Sequence, residues 1–216
     1  MDSLRNLQMP GQETERYVAC FSTNFDDLNQ WRSYASPGSG YCVGFSGDSL
    51  RNLAYNYSGY LGRCVYSRTT QESIVLELLS RFLADLDNYF PYFGSGEINE
   101  GLFESRVEGF SSLFGKIAPL FKNPAFKEEA EVRLIFEPFE EGYDDVSFRA
   151  GKHSIIPYIA VESQLGDDYW VKPEKIVVKS SPHQELCIQG VKRLCTSLGL
   201  MEDIVVTSTI PFREEV

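Results

Sequence analysis

Short runs of β-branched and aromatic residues recur along this chain in no regular alternation with helical segments, and that irregular order limits the folds open to it. YVACFST (17–23), YCVGF (41–45) and LGRCVY (61–66) read as strands. Further strands are expected at about 130–137, 145–149, 155–161, 175–179 and 203–210. Asn24 is placed to cap a helix over roughly 25–35, in which Phe25, Leu28, Trp31 and Tyr34 share a face. Residues 70–90 repeat apolar side chains at Ile74, Leu78, Phe82, Leu86 and Tyr89, the period of a helix, and a second helix is expected over 101–121. Ser181, Pro182 and Gln184 form a helix start signal. The helix at 182–198 is expected to bury Leu186, Ile188, Val191, Leu194, Cys195 and Leu198, and Gly199 stops it.

Such an order implies an α+β fold rather than a doubly wound one: a mixed, mostly antiparallel sheet with a helical hairpin insertion and a C-terminal helix-strand unit. The 216 residues suit a single domain, 1–216, with 1–16 a loose N-terminal segment and 70–121 the helical insertion. With 43% hydrophobic residues and 29 aromatics, the chain is not a disordered one.

Charge and cysteine usage narrow the function classes. The formal net charge is −11, which argues against a broad basic face for nucleic acid while leaving room for a small basic pocket. Residues 1–70 carry six Arg and six acids, so the whole acidic excess lies beyond them. No apolar run is long enough for a membrane span or a signal peptide. The five widely spaced cysteines form no C-x-x-C pair. A reduced, cytoplasmic protein is the expectation.

Two segments could carry chemistry. In KEEAEVRLIF (127–136), strand alternation puts Glu129, Glu131 and Arg133 on one face and Ala130, Val132, Leu134 and Phe136 on the other, against the core. That row is either a solvated strand face or a site in which one carboxylate is tuned by its neighbours. In CFSTNFDDLNQWRSYA (20–35), Ser22 and Thr23 end a strand where a helix begins, and Trp31 and Arg32 could line a cleft at that edge. Asp26 and Asp27 read as acids placed by the helix dipole. Neither His153 nor His183 stands beside a nucleophile signature, and no glycine-rich phosphate loop is present.

Four pieces in order resemble a bacterial family, the domain of unknown function 2971. They are CFSTNFDDLNQWRSYASPGSGYCVGF; FKEEAEVRLIF, with Glu129, Glu131 and Arg133; FRAGKHSIIPYIAVE, with Arg149; and the closing VTSTIPFR. The likeness covers about residues 17–213. It departs at Val132, which replaces an aromatic, and at KSSP (179–182), where the family has Gly-Pro; the short segment before Cys20 makes the chain a short form or a fragment of a longer one. The resemblance implies an association with bacterial defence or mobile-element genes.

The motif order also invites an analogy with ADP-ribosyltransferases of the Arg-Ser-Glu type. In that analogy NAD is the substrate, and the catalytic residues are Glu131, which holds the ribose, Glu129, which serves the acceptor, and Ser22. Thr23, Trp31, Arg32 and Arg133 would contact NAD. Asn24 stands where a third Ser belongs, and neither Arg5 nor Arg16 is a convincing early Arg. The alternatives are a non-catalytic protein-interaction module, with the aromatic loop PYFGSG as contact surface, and a Mg-dependent nuclease using Glu129 and Glu131. No resident metal or cofactor is expected. The partner is either an unknown protein or a small nucleotide.

Overall fold

The computed structural model describes residues 16–36, 38–89, 100–136, 146–161, 164–165, 168–169 and 171–211. In chain order the elements are β1 (Tyr17–Ser22), α1 (Leu28–Tyr34), β2 (Tyr41–Phe45), α2 (Gly47–Asn56), β3 (Tyr60–Arg63), α3 (Arg68–Tyr89) and α4 (Glu100–Ile117). Then come β4 (Glu131–Phe136), β5 (Val146–Ala150), β6 (Ile155–Ile159), β7 (Gln164–Leu165), β8 (Asp168–Tyr169), β9 (Pro173–Val178), α5 (Gln184–Ser197) and β10 (Val205–Thr207). The fold is α+β. Its small sheets are mostly antiparallel, and one is mixed, ordered β10-β9-β2, with β9 and β10, which precede and follow α5 in the chain, paired in parallel. The expected class and the C-terminal helix then strand are both present. No helix among the described residues is long and apolar enough to cross a membrane.

The chain packs as two compact units, one from residues 63–127 and one from the described residues of 16–62 and 128–211. In the first, α3 half-buries the stripe the sequence marks, Ile74, Leu78, Phe82 and Leu86. Phe82 meets Phe110 of α4 at 5.0 Å between ring centroids. The Gln71 amide donates to the carbonyls of Val65 and Lys122, tying the start of α3 to the segment after α4.

The second unit holds the site. Its first sheet is ordered β1-β4-β3. Leu134 and Phe136 of β4 pack with Leu50, Leu53 and Ala54 of α2, and with Val171. Each fully buried Leu or Phe stabilises such a core by about 1.5–3 kcal/mol. The sequence reading placed no element at α2. Its apolar residues are few, and a Ser46 cap, whose hydroxyl accepts from the Ser49 N–H, starts it directly after a strand. Gly59, just beyond α2, approaches β4 so closely that a Cβ there would stand 2.5 Å from the Ile135 carbonyl oxygen.

Several local expectations are corrected. Helix α1 is capped by Asp27, not Asn24, because the Asp27 carboxylate reaches the N–H groups of Asn29 and Gln30. Of the expected apolar face only Trp31 is buried, while Phe25, Leu28 and Tyr34 stay exposed. Residue Ser181 does not cap α5. Its hydroxyl is buried without a partner among the described residues, and His183 occupies the cap position with no side-chain hydrogen bond. Along α5 only Cys195 is fully buried, and Leu186, Leu194 and Leu198 are exposed. Gly199 does end the helix, with φ at +67°. The last strand is shorter than expected and follows a 3-10 turn at Glu202–Ile204. The expected loose segment, apart from Arg16, and the PYFGSG loop lie outside the described residues.

Candidate functional site

Strands β1 and β4 pair antiparallel with Ser22 opposite Glu131 and Cys20 opposite Arg133. Directly opposed residues project to one face, so these four side chains share a side of the sheet. Glu131 is 5% exposed. Its carboxylate is held by Arg133 of its own strand, with Nε to Oε1 and Nη2 to Oε2 both at 3.1 Å. A fork of this kind fixes the plane of the carboxylate as well as its position.

Glu129 is not on the strand, contrary to the alternation expected over 127–136. It ends a 3-10 turn, Pro124–Glu129, and Ala130 follows with φ at +45°. That left-handed residue breaks the period-two pattern before β4 begins. The turn is held from across the sheet. The Ser22 hydroxyl donates to the Glu129 carbonyl at 2.8 Å and accepts from the Asn24 N–H at 3.0 Å. The Thr23 N–H donates to the Ala130 carbonyl at 3.0 Å, and its hydroxyl lies 3.4 Å from the same oxygen.

A cavity of about 160 Å³ lies over this face, lined by Cys20, Phe21, Ser22, Gln30, Tyr34, Glu129 and Glu131. Three expected site residues, Ser22, Glu129 and Glu131, therefore meet at one opening. Arg133 reaches it only through Glu131, and Thr23 does not line it. A second cavity, about 400 Å³, includes Trp31, Tyr34, Tyr41 and Cys42 in its lining. Gln30 and Tyr34 belong to both linings. They stand four apart on α1 and so on one helical face. The sequence reading missed Gln30, whose spacing from Tyr34 was the available signal. Arg32 is exposed on α1 and lines neither cavity, so its expected place in the cleft is not where this fold puts it.

Trp31 is anchored from below. Its indole N–H donates to Asp26 at 2.8 Å, and the same carboxylate accepts from the Ser208 hydroxyl at 2.6 Å and from the Thr209 N–H at 2.7 Å. Asp26, read from sequence as a dipole acid, is a hub linking α1 to the end of the chain. Burial pushes its pKa up, but the hydrogen bonds from Ser208, Trp31 and Thr209 together outweigh this and hold it below the ordinary aspartate value. Burial, and to a smaller extent Asp26, push the Cys42 thiol up, keeping it protonated.

Among the described residues no group of three or more His, Cys, Asp or Glu side chains is placed to hold a metal ion. Both carboxylate oxygens of Glu131 face the Arg133 guanidinium, so a cation there would have to compete with it. Those two observations give the nuclease alternative no support.

Residues 30–134 match the model of a family described as "Protein of unknown function (DUF2971)". The chain carries a DUF2971 domain. The match takes in Trp31, Tyr34, Glu129, Glu131 and Arg133 and stops short of Ser22 and of the two C-terminal pieces of the resemblance, so it is narrower than the likeness expected over about 17–213. No curated protein and no solved structure matches the chain. Membership of DUF2971 assigns no activity by itself, and the chemistry has to be argued from the cavities.

Proposed function

We propose that the cavity over the β1–β4 pair is a ribose site at which NAD is cleaved, in the manner of an ADP-ribosyltransferase. The observation that carries the reading is the register of Ser22 against Glu131, with both residues and Glu129 lining one cavity. An ionised carboxylate accepts a hydrogen bond from a ribose hydroxyl and stabilises positive charge developing at the sugar. The bond between ribose C1′ and the nicotinamide nitrogen breaks, and nicotinamide leaves with the electron pair. Water or a protein nucleophile then adds at C1′ and gives up a proton, for which Glu129 is the nearby base. Arg133, rather than Ser22, is the residue that orients the catalytic carboxylate. Ser22 acts on the backbone of the Glu129 turn.

Nicotinamide release from NAD by the wild type, Glu131→Gln and Glu129→Gln proteins tests this, with thermal melts to confirm folding. Loss of about a hundredfold or more in kcat is expected for Glu131→Gln, with KM changed less. Absence of release by the folded wild type, or equal rates for wild type and Glu131→Gln, would overturn the reading.

A second reading, a non-catalytic interaction module, is favoured by the β5–β6 hairpin. Register and alternation give Val146, Phe148, Ala150, Ile155, Pro157 and Ile159 one common face. On it, Phe148 is 68% and Ile155 72% exposed. An apolar face of this kind is characteristic of contact surfaces. Under that reading NAD is not consumed, and Phe148→Ser with Ile155→Ser, but not Glu131→Gln, abolishes crosslinking to a partner in cells.

A further inference from the structure

Two lysines in this strongly acidic chain stand beside the larger cavity with no acidic partner among the described residues. Lys175 Nζ lies 3.9 Å from the centroid of the Phe25 ring, and Lys179 Nζ donates to the Ser36 carbonyl at 3.3 Å. Phe25 and Ser36 both line the 400 Å³ cavity. Among the described residues neither lysine has a carboxylate within salt-bridge distance. Both are half-buried.

Their placement follows from the sheet. Lys175 pairs with Gly44 and Cys42 with Val177, and the Lys179 N–H continues the ladder to the Gly40 carbonyl at 2.9 Å. Alternation therefore puts Lys175 and Lys179 on the same face as Cys42 and Gly40, which line the cavity. Gly40 leaves the space this needs. A Cβ there would stand 2.6 Å from the Ala35 Cβ and 3.4 Å from both the Lys179 stem and the Trp31 ring. The lysines stand against lining residues rather than in the lining, which includes one carboxylate, Asp27, already engaged by the Asn29 and Gln30 N–H groups. Cationic side chains this close to a cavity attract an anion, and the exposed Tyr34 ring in the lining offers a flat apolar surface for a base. A volume of about 400 Å³ is within the range of small-ligand sites.

We propose that this cavity is the phosphate-and-base subsite of a nucleotide, its phosphates drawn to Lys175 and Lys179 and its base laid against Tyr34. The subsite rests on the Glu131 reading only for the direction of the ligand. With Gln30 and Tyr34 lining both cavities, the nucleotide half of a dinucleotide occupies the larger one while the second ribose enters the smaller.

Calorimetric titration of the whole chain with ADP and with adenosine tests it. ADP is expected to bind about tenfold or more tightly than adenosine, and added NaCl to erode the difference. Lys175→Met with Lys179→Met, which keeps the apolar stems, is expected to equalise the two ligands, and the double Arg variant to restore the preference. Absence of ADP binding, equal binding of ADP and adenosine, or an unchanged ADP affinity in the double Met variant would overturn the subsite. The two proposals fail separately. If ADP binds through the lysines but no nicotinamide is released, the subsite stands and the NAD-cleavage reading falls. If Glu131→Gln abolishes nicotinamide release while the double Met variant changes nothing, the reverse holds.

Discussion

The Asp26 carboxylate accepts a 2.6 Å hydrogen bond from the Ser208 hydroxyl, joining residues 182 positions apart. It takes two more from Thr209, through its N–H and its hydroxyl, and one from the Trp31 indole. Asp26 lies in the CFSTNFDD piece of the sequence and Ser208 in the VTSTIPFR piece, so two motifs from opposite ends form one hydrogen-bonded unit. The Ser180 hydroxyl adds a bond to the Ile210 carbonyl at 2.7 Å. The wall that carries Trp31 into the larger cavity depends on this fastening.

Replacing Asp26 by Ala is expected to destabilise the protein by about 1–3 kcal/mol, because the part-buried Trp31 and Ser208 donors and the exposed Thr209 donors together lose a charged acceptor. The effect is pH-dependent. Since the folded pKa lies below the unfolded value near 3.8, the stabilisation is complete above about pH 5 and is lost as pH falls through the folded pKa. Urea titrations at pH 7 and at pH 3 check it. The stability gap between wild type and Asp26→Ala should narrow at the lower pH, and a gap that widened would contradict the assignment.

The Glu131–Arg133 pair is buried on the Glu131 side and mostly covered on the other, with side-chain exposures of 5% and 19%. Removing one partner leaves a charge in poor solvent, so Arg133→Met is expected to cost about 3 kcal/mol. Adding Glu131→Gln to it should recover part of that loss. Chemical denaturation of the two single variants and the double closes the cycle, and additive losses would mean the pair is effectively solvated.

Two glycines should respond with opposite signs. Gly59→Ala forces a methyl against the Ile135 carbonyl and the Phe136 ring, an overpacking expected to cost about 1–3 kcal/mol. At Gly109, exposed in α4, nothing lies within 4 Å of an added Cβ. Gly109→Ala is expected to stabilise by about 0.5–1 kcal/mol through helix propensity. Melting temperatures of the two variants decide the matter, and a rise for Gly59→Ala would refute the close approach.

Thiol reactivity reports on the site. No disulfide joins the five cysteines, of which Cys64 and Cys195 are buried and Cys20 is exposed on the lining of the smaller cavity. A thiol reagent is expected to modify Cys20 before Cys42, whose thiol is pushed up by burial, and to reach Cys64 and Cys195 only on unfolding. Peptide mapping after timed labelling measures the order. A ligand bound over Ser22 and Glu131 should slow the reaction at Cys20.

Where local chemistry decides the outcome, reading the residues in order was enough. The β-rich composition of YVACFS and YCVGF, the apolar period of α3 and the glycine that ends α5 each act through neighbours a few positions away. The irregular order of those elements determined the α+β class, and the spacing of the motifs placed Ser22 and Glu131 among the residues to watch. Helix α2 does carry a local signal, Leu50, Leu53 and Ala54 at i, i+3 and i+4 behind the Ser46 cap, but the run is short and lies between two strands, and its stability comes from packing those residues on β4.

Tertiary structure decided which of the neighbouring acids does what. Glu129 and Glu131 are two apart in sequence, yet the left-handed Ala130 separates them into a turn and a strand. Asp26 and Asp27 are adjacent, yet one caps α1 while the other binds the far end of the chain. A carboxylate's role depends on which donors reach it: Asp27 takes the Asn29 and Gln30 N–H groups and Glu131 takes Arg133 of its own strand, whereas Asp26 is satisfied by Ser208 and Thr209 from the other end of the chain.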